Sequence, residues 1–152
     1  MRQNQGGGTM TMFRTALAAL AVFGVTSVTQ ASAQTASPAG AKVYIINLKD
    51  GVEVSSPFLV QFGLTGMGVA PAGVEKPNTG HHHLLIDAAL NAEELKGAIP
   101  ADDTHKHFGV GQTETMVTLP PGKHTLQLVF ADWSHIPHQP PVMSTPITVT
   151  VR

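Results

Sequence analysis

The stretch His81-His82-His83-Leu84-Leu85-Ile86-Asp87 reads as a β-strand with two unlike faces. Successive side chains on a strand point to opposite sides. His82, Leu84 and Ile86 therefore share one face, and His81, His83 and Asp87 share the other. The first face suits a core, while the second carries imidazoles and a carboxylate. The same period of two recurs on both sides of this stretch. Phe58, Val60, Phe62 and Leu64 alternate before it, and His124, Leu126, Leu128 and Phe130 alternate after it. Ile147, Val149 and Val151 face one way at the end of the chain.

Turn chemistry separates these runs. Val43 to Leu48 is β-branched and aromatic and is closed by Lys49-Asp50-Gly51. Gly66 to Gly80 is a Gly/Pro-rich loop, and a strand over Thr113 to Leu119 stops at Pro120-Pro121-Gly122. Asn91 to Lys96 has room for a single helical turn. Six or seven short strands with no long helical pattern predict an all-β fold, a single immunoglobulin-like β-sandwich, with a small β-barrel as the alternative. "Immunoglobulin-like" refers to architecture alone, because the chain has no cysteine.

Composition narrows the function. The 152 residues carry 9 basic and 10 acidic side chains, a net charge of −1, which excludes the cationic surface needed to neutralise nucleic-acid phosphates. With 12% charged and 42% apolar residues, a buried core is expected rather than disorder of the whole chain. The absence of Cys excludes disulfides, thiolate metal sites and cysteine nucleophiles.

The first 33 residues read as a secretory signal peptide. Arg14 precedes the apolar run Ala16 to Val28, and Ala31-Ser32-Ala33 supplies a small-x-small cleavage pattern. The run falls short of the roughly 20 apolar residues that span a bilayer. Residues 34–41 are expected as a flexible lead-in and residues 42–152 as the β-sandwich domain. The expected location is periplasmic or secreted, with no stable membrane anchor after signal cleavage.

All eight histidines lie beyond the cleavage pattern, and seven fall in three clusters. These are His81-His82-His83, then Asp102-Asp103-Thr104-His105-Lys106-His107, then His135-Ile136-Pro137-His138. An H-x-H pair on a strand projects both rings from one face, about 7 Å apart along the backbone. The expected metal ligands are therefore His81, His83, His105 and His107, with His135 and His138 able to replace one arm. Asp87, Asp102, Asp103 and Glu114 are candidate partners that would fix a ring tautomer. His82 shares its parity with Leu84 and Ile86, and His124 stands alone, so both are weaker ligand candidates. Met143 is the best placed thioether. Imidazole donors suit copper or zinc, and no carboxylate cage for calcium or magnesium is present. A transition metal, copper or zinc, is the expected cofactor. The expected partners are that ion and another periplasmic protein, not nucleic acid.

Enzyme motifs are scarce. There is no phosphate-binding glycine loop, no G-x-S-x-G elbow and no H-E-x-x-H. His105-x-His107, Glu114 and His124 partly match the metal motif of cupins, with one gap too long and one a residue short. Three readings follow. The first is an exported metal-handling domain, with no paired acid/base or nucleophile for catalysis. The second is a non-catalytic binding or adaptor module with a structural histidine network. The third is a cupin-like metal-dependent enzyme.

The run from about Val43 to Val151 resembles a bacterial exported family known as domain of unknown function 4399. The resemblance is carried by Gly66 to Gly73, by Asn78-Thr79-Gly80-His81-His82-His83-Leu84-Leu85-Ile86-Asp87, and by Ile99-Pro100-Ala101-Asp102-Asp103 with His105 and His107-Phe108-Gly109. Gly111-Gln112-Thr113-Glu114, Leu119 to Leu128 and His135-x-Pro137-His138 complete it. It implies an exported single domain, and no catalytic or metal role comes with it.

Overall fold

Alternating β-branched, aromatic and aliphatic side chains bury one strand face against another sheet, and this pattern builds the molecule. The computed structural model describes Gly6 and residues 34–152. Apart from Gly6, the expected signal peptide lies outside the described residues. Ten strands run through the described residues. They are β1 (Lys42–Ile45), β2 (Val52–Val54), β3 (Phe58–Thr65), β4 (Gly68–Val69) and β5 (Thr79–Ile86), then β6 (His105–Phe108), β7 (Glu114–Val117), β8 (Gly122–Ala131), β9 (Pro137–Met143) and β10 (Ile147–Val151). A single 3₁₀ turn, Glu94–Lys96, lies where the short helical turn was expected, with the Asn91 side chain accepting the N–H groups of Glu93 and Glu94. Among the described residues no helix is long and apolar enough to cross a membrane.

The strands form two sheets. The smaller is antiparallel, in the order β1-β3-β7. The larger runs β2-β10-β8-β5-β4, with β6 added to β5 and β9 to β8. The sheets are not closed into a barrel, so the sandwich holds and the barrel alternative does not. Val43, Phe58, Val60 and Phe62 of the smaller sheet meet Leu84, Ile86, Leu126, Leu128, Phe130 and Val149 of the larger one in a single core. These are the alternating positions that the period of two singles out.

The larger sheet is also covered on its reverse face. Leu85, Val129 and Ala131 form a second cluster with Ile99, and Ala88, Leu90 and Met143 pack against it. Every residue of β5 from Gly80 to Ile86 is buried as a result. The imidazoles of His81 and His83, on this reverse face, are withdrawn from water as fully as the leucines beside them.

Three strands arise where loops were expected, the two-residue β4 within Gly66 to Gly80 being the shortest. β6 is polar apart from Phe108 and takes its strand form from antiparallel pairing with β5. β9 contains Pro137, Pro140 and Pro141, which lack ladder donors; such residues are tolerated near a sheet edge. The lead-in, expected to be flexible, is instead docked on β9. Gln139 N–H donates to the Thr35 carbonyl at 2.8 Å, and Ser37 N–H donates to the Gln139 carbonyl at 3.1 Å. The Gln34 amide donates to the carbonyls of Leu95 at 2.7 Å and Pro137 at 2.9 Å.

Candidate metal centre

β5 sets the floor of the site. Gly80, just before the histidines, is required by close approach, because a Cβ there would lie 2.1 Å from the Ala131 carbonyl oxygen of β8. With β5 held this tightly, His81 is opposite Ala131 and His83 opposite Val129. On the other edge of β5, antiparallel pairing places His107 directly across from His83. Gly109 leaves room for the His107 ring, since a Cβ at that position would come within 2.2 Å of it. The fourth histidine comes from the β8–β9 loop. His135 adopts the left-handed conformation, φ 70°, in a tight turn in which its N–H donates to the Asp132 carbonyl at 2.9 Å.

Four imidazoles thus gather from three places in the chain. The ring centroids of His81, His107 and His135 are 4.7–5.0 Å apart. Imidazoles sharing one ion at about 2.0–2.1 Å would have centroids roughly 4.5–5.2 Å apart, for angles between right and tetrahedral. His81, His107 and His135 each offer a ring nitrogen within 4.8 Å of the other two, a group that could hold a metal ion. His83 adjoins this trio. Its Nε2 is 3.0 Å from His81 Nε2, and its ring is 5.1 Å from His107 but 6.0 Å from His135.

Several ring nitrogens of the cluster lack hydrogen-bond partners. His81 Nδ1, His83 Nδ1 and His107 Nε2 are buried with no hydrogen-bond partner. Buried polar atoms are normally satisfied; His82 and His138, outside the cluster, also carry unpartnered nitrogens, so it is the convergence of the rings that marks the site. Burial also keeps the rings of His81, His83 and His107 neutral. Burial, reinforced by His107 and His135, lowers the His81 imidazole from its ordinary 6.5 to about 4. Burial and the surrounding histidines lower His83 to about 2. Burial followed by His135 lowers His107. Neutral imidazole is the form that binds a metal.

The other expected ligands are placed elsewhere. His105 is opposite Leu85, two residues along β6 from His107. Its Nδ1 lies 3.0 Å from an Asp102 oxygen, inside a turn in which the same oxygen accepts the N–H groups of Thr104 and His105. The His105 hydrogen bond, with those from Thr104, pushes the Asp102 carboxyl well below its usual range. His138 is buried, stacks on Phe130 and places Nδ1 2.7 Å from the Thr35 hydroxyl. His82 packs in the core between Phe62 and Phe130. Of the two expected H-x-H arms, His81 and His83 lie together and His107 alone of the second joins them, while His135, expected as a replacement for one arm, completes the group.

The carboxylates do not support the cluster as expected. Asp87 accepts from His124 Nδ1 at 2.7 Å and from the Thr125 N–H at 2.8 Å, tying the end of β5 to β8. Asp103 pairs with Lys106, and Glu114 accepts from Gln61 in the smaller sheet. Met143 belongs to the apolar cluster around Leu85. The cupin-like grouping of His105, His107, Glu114 and His124 is dispersed in a fold without a closed barrel, and that reading is set aside.

The acid that shapes the site is Asp132, which the sequence reading passed over. It is 3% exposed, and its Oδ1 accepts from the N–H and hydroxyl of Ser134 and the N–H of Ile136. The signal was present in Asp132-Trp133-Ser134, where an Asp side chain can bond the backbone two residues on and nucleate a turn.

Comparison with known proteins adds a family and nothing further. Residues 60–152 match the model of the family described as "Domain of unknown function (DUF4399)". No curated protein and no solved structure matches the chain.

Proposed function

Because the chain belongs to this domain-of-unknown-function family, whose description assigns no activity, the site itself carries the functional reading, and we propose that the protein binds a transition-metal ion in an exported, periplasmic setting. His81, His107 and His135 hold the ion, and His83 completes the cluster behind His81. The observation that carries this reading is the convergence of those three rings, each offering a nitrogen within 4.8 Å of the others. An all-imidazole donor set favours copper or zinc over the hard cations, which prefer oxygen. Metal handling fits the site better than catalysis, because the carboxylate nearest the cluster, Asp132, is occupied by hydrogen bonds from the turn that carries His135 and from Thr35.

Titration of the purified protein with Cu(II) and Zn(II) tests the proposal. Binding near one equivalent is expected, with loss of at least about tenfold in affinity for His81→Ala and for His107→Ala, since removing even a group that only hydrogen-bonds a ligand costs about that much. Unchanged affinity in both variants would refute the assignment. The 3.0 Å contact between His81 and His83 favours a second reading, a purely hydrogen-bonded network. On that reading the same substitutions lower thermal stability, and added metal changes nothing.

A further inference from the structure

The N-terminal segment reaches the metal centre through two residues. The Thr35 hydroxyl donates to Asp132 Oδ2 at 3.1 Å. With its one proton committed there, the same oxygen accepts from His138 Nδ1–H at 2.7 Å. The opposite oxygen of Asp132 holds the backbone of the turn that carries His135. Thr35 is held in turn by the hydrogen bonds of Gln34 and Ser37 and by its own carbonyl, which accepts from Gln139. Thr35 lies outside the matched family region, residues 60–152.

We propose that Thr35 is a positioning residue for His135: by fixing Asp132 it latches the β8–β9 turn and couples docking of the N-terminal segment to completion of the histidine cluster. The proposal rests on the metal reading for its purpose, but the mechanical linkage is testable without metal. His135 needs such a latch. It is half-buried, sits on a loop rather than a strand, and adopts a left-handed backbone that a non-glycine residue holds only when its surroundings impose it. His81, His83 and His107 have sheet ladders to position them. His135 has the Asp132 turn and a hydrogen bond from Ile99 N–H to its carbonyl.

Two measurements on Thr35→Val and Thr35→Ser decide the matter. Valine keeps the shape and removes both hydroxyl bonds, whereas serine keeps them. In the metal-free protein, amide exchange at Ser134 and Ile136 is expected to speed up at least about fivefold in Thr35→Val and to stay at the wild-type rate in Thr35→Ser. Unchanged exchange in Thr35→Val overturns the latch. In Zn(II) titrations Thr35→Val is expected to bind about fivefold or more weakly, with Thr35→Ser restoring affinity, and to add no further loss in a His135→Ala background. An equal loss in that background would show general destabilisation and overturn the latch. A wild-type protein that takes up no Zn(II) or Cu(II) refutes the metal reading alone, and the exchange experiment still decides the latch.

Discussion

His82 shows how little the identity of a residue says without its surroundings. It lies between two residues of the histidine cluster in sequence, yet its ring is 5.1 Å from Phe62 and 5.0 Å from Phe130, inside the apolar core. Neither ring nitrogen makes a well-formed hydrogen bond. Burial lowers its pKa to about 4, offset in part by the backbone of Gln112. An unpartnered polar group in such a place costs about 1–3 kcal/mol. His82→Leu is therefore expected to raise stability by about that amount in a denaturant titration and to leave metal affinity unchanged. The His124–Asp87 pair behaves in the opposite way. Its hydrogen bond to Asp87 raises the His124 pKa above 6.5, and the same bond helps to lower Asp87 below 3.8. The His124 contribution is complete below 6.5 and fades as pH climbs through the raised value. The Asp87 contribution is complete above 3.8 and fades as pH drops through the lowered one. In Asp87→Asn, the His124 titration followed by NMR is expected to return towards 6.5.

At the level of elements, much of the architecture was legible in the alternation of side chains. Phe58, Val60 and Phe62 and the facing Leu84, Ile86, Leu126, Leu128 and Phe130 were assigned to a core by period alone, and they meet there. The histidine cluster was legible only in part. His81 and His83 share a face by strand geometry, which is local, but the choice between His105 and His107 depends on register with β5, which is not. Register placed His107 across from His83 and His105 across from Leu85. The contribution of His135 depends on a turn built by Asp132 and could not be read from strand periodicity. Pairing of β5 with β8 is the most constrained contact of the site. Gly80→Ala would drive a methyl group into the Ala131 carbonyl, backbone that cannot yield as a side chain would. A loss of about 3 kcal/mol or more is expected in chemical denaturation, together with weakened metal uptake.

Across the described domain, the histidines tie stability to acidity. His81 and His82 are held near 4 by burial, and His83 near 2, against 6.5 in an unfolded chain. The unfolded state thus binds more protons between those limits. The contribution of these three buried histidines is complete above about 6.5 and falls as pH is lowered towards 4. Thermal melting of the metal-free protein from pH 7 to pH 4 is expected to show a steady decline, and His82→Leu should flatten part of it. Chelation provides the complementary test. With free Zn(II) at about a hundred times its dissociation constant, binding adds about 2.7 kcal/mol, and removal of the ion should lower the melting temperature accordingly.

β5 contributes to both layers at once, with Leu84 and Ile86 beneath it and His81 and His83 above. Two of the four imidazoles therefore cannot retreat without opening the domain, while His107 and His135 are partly open to solvent. On the proposed metal reading, an ion would enter and leave by that solvent-facing rim, so dwell time would be governed by the motion of one short turn and not by global opening of the protein.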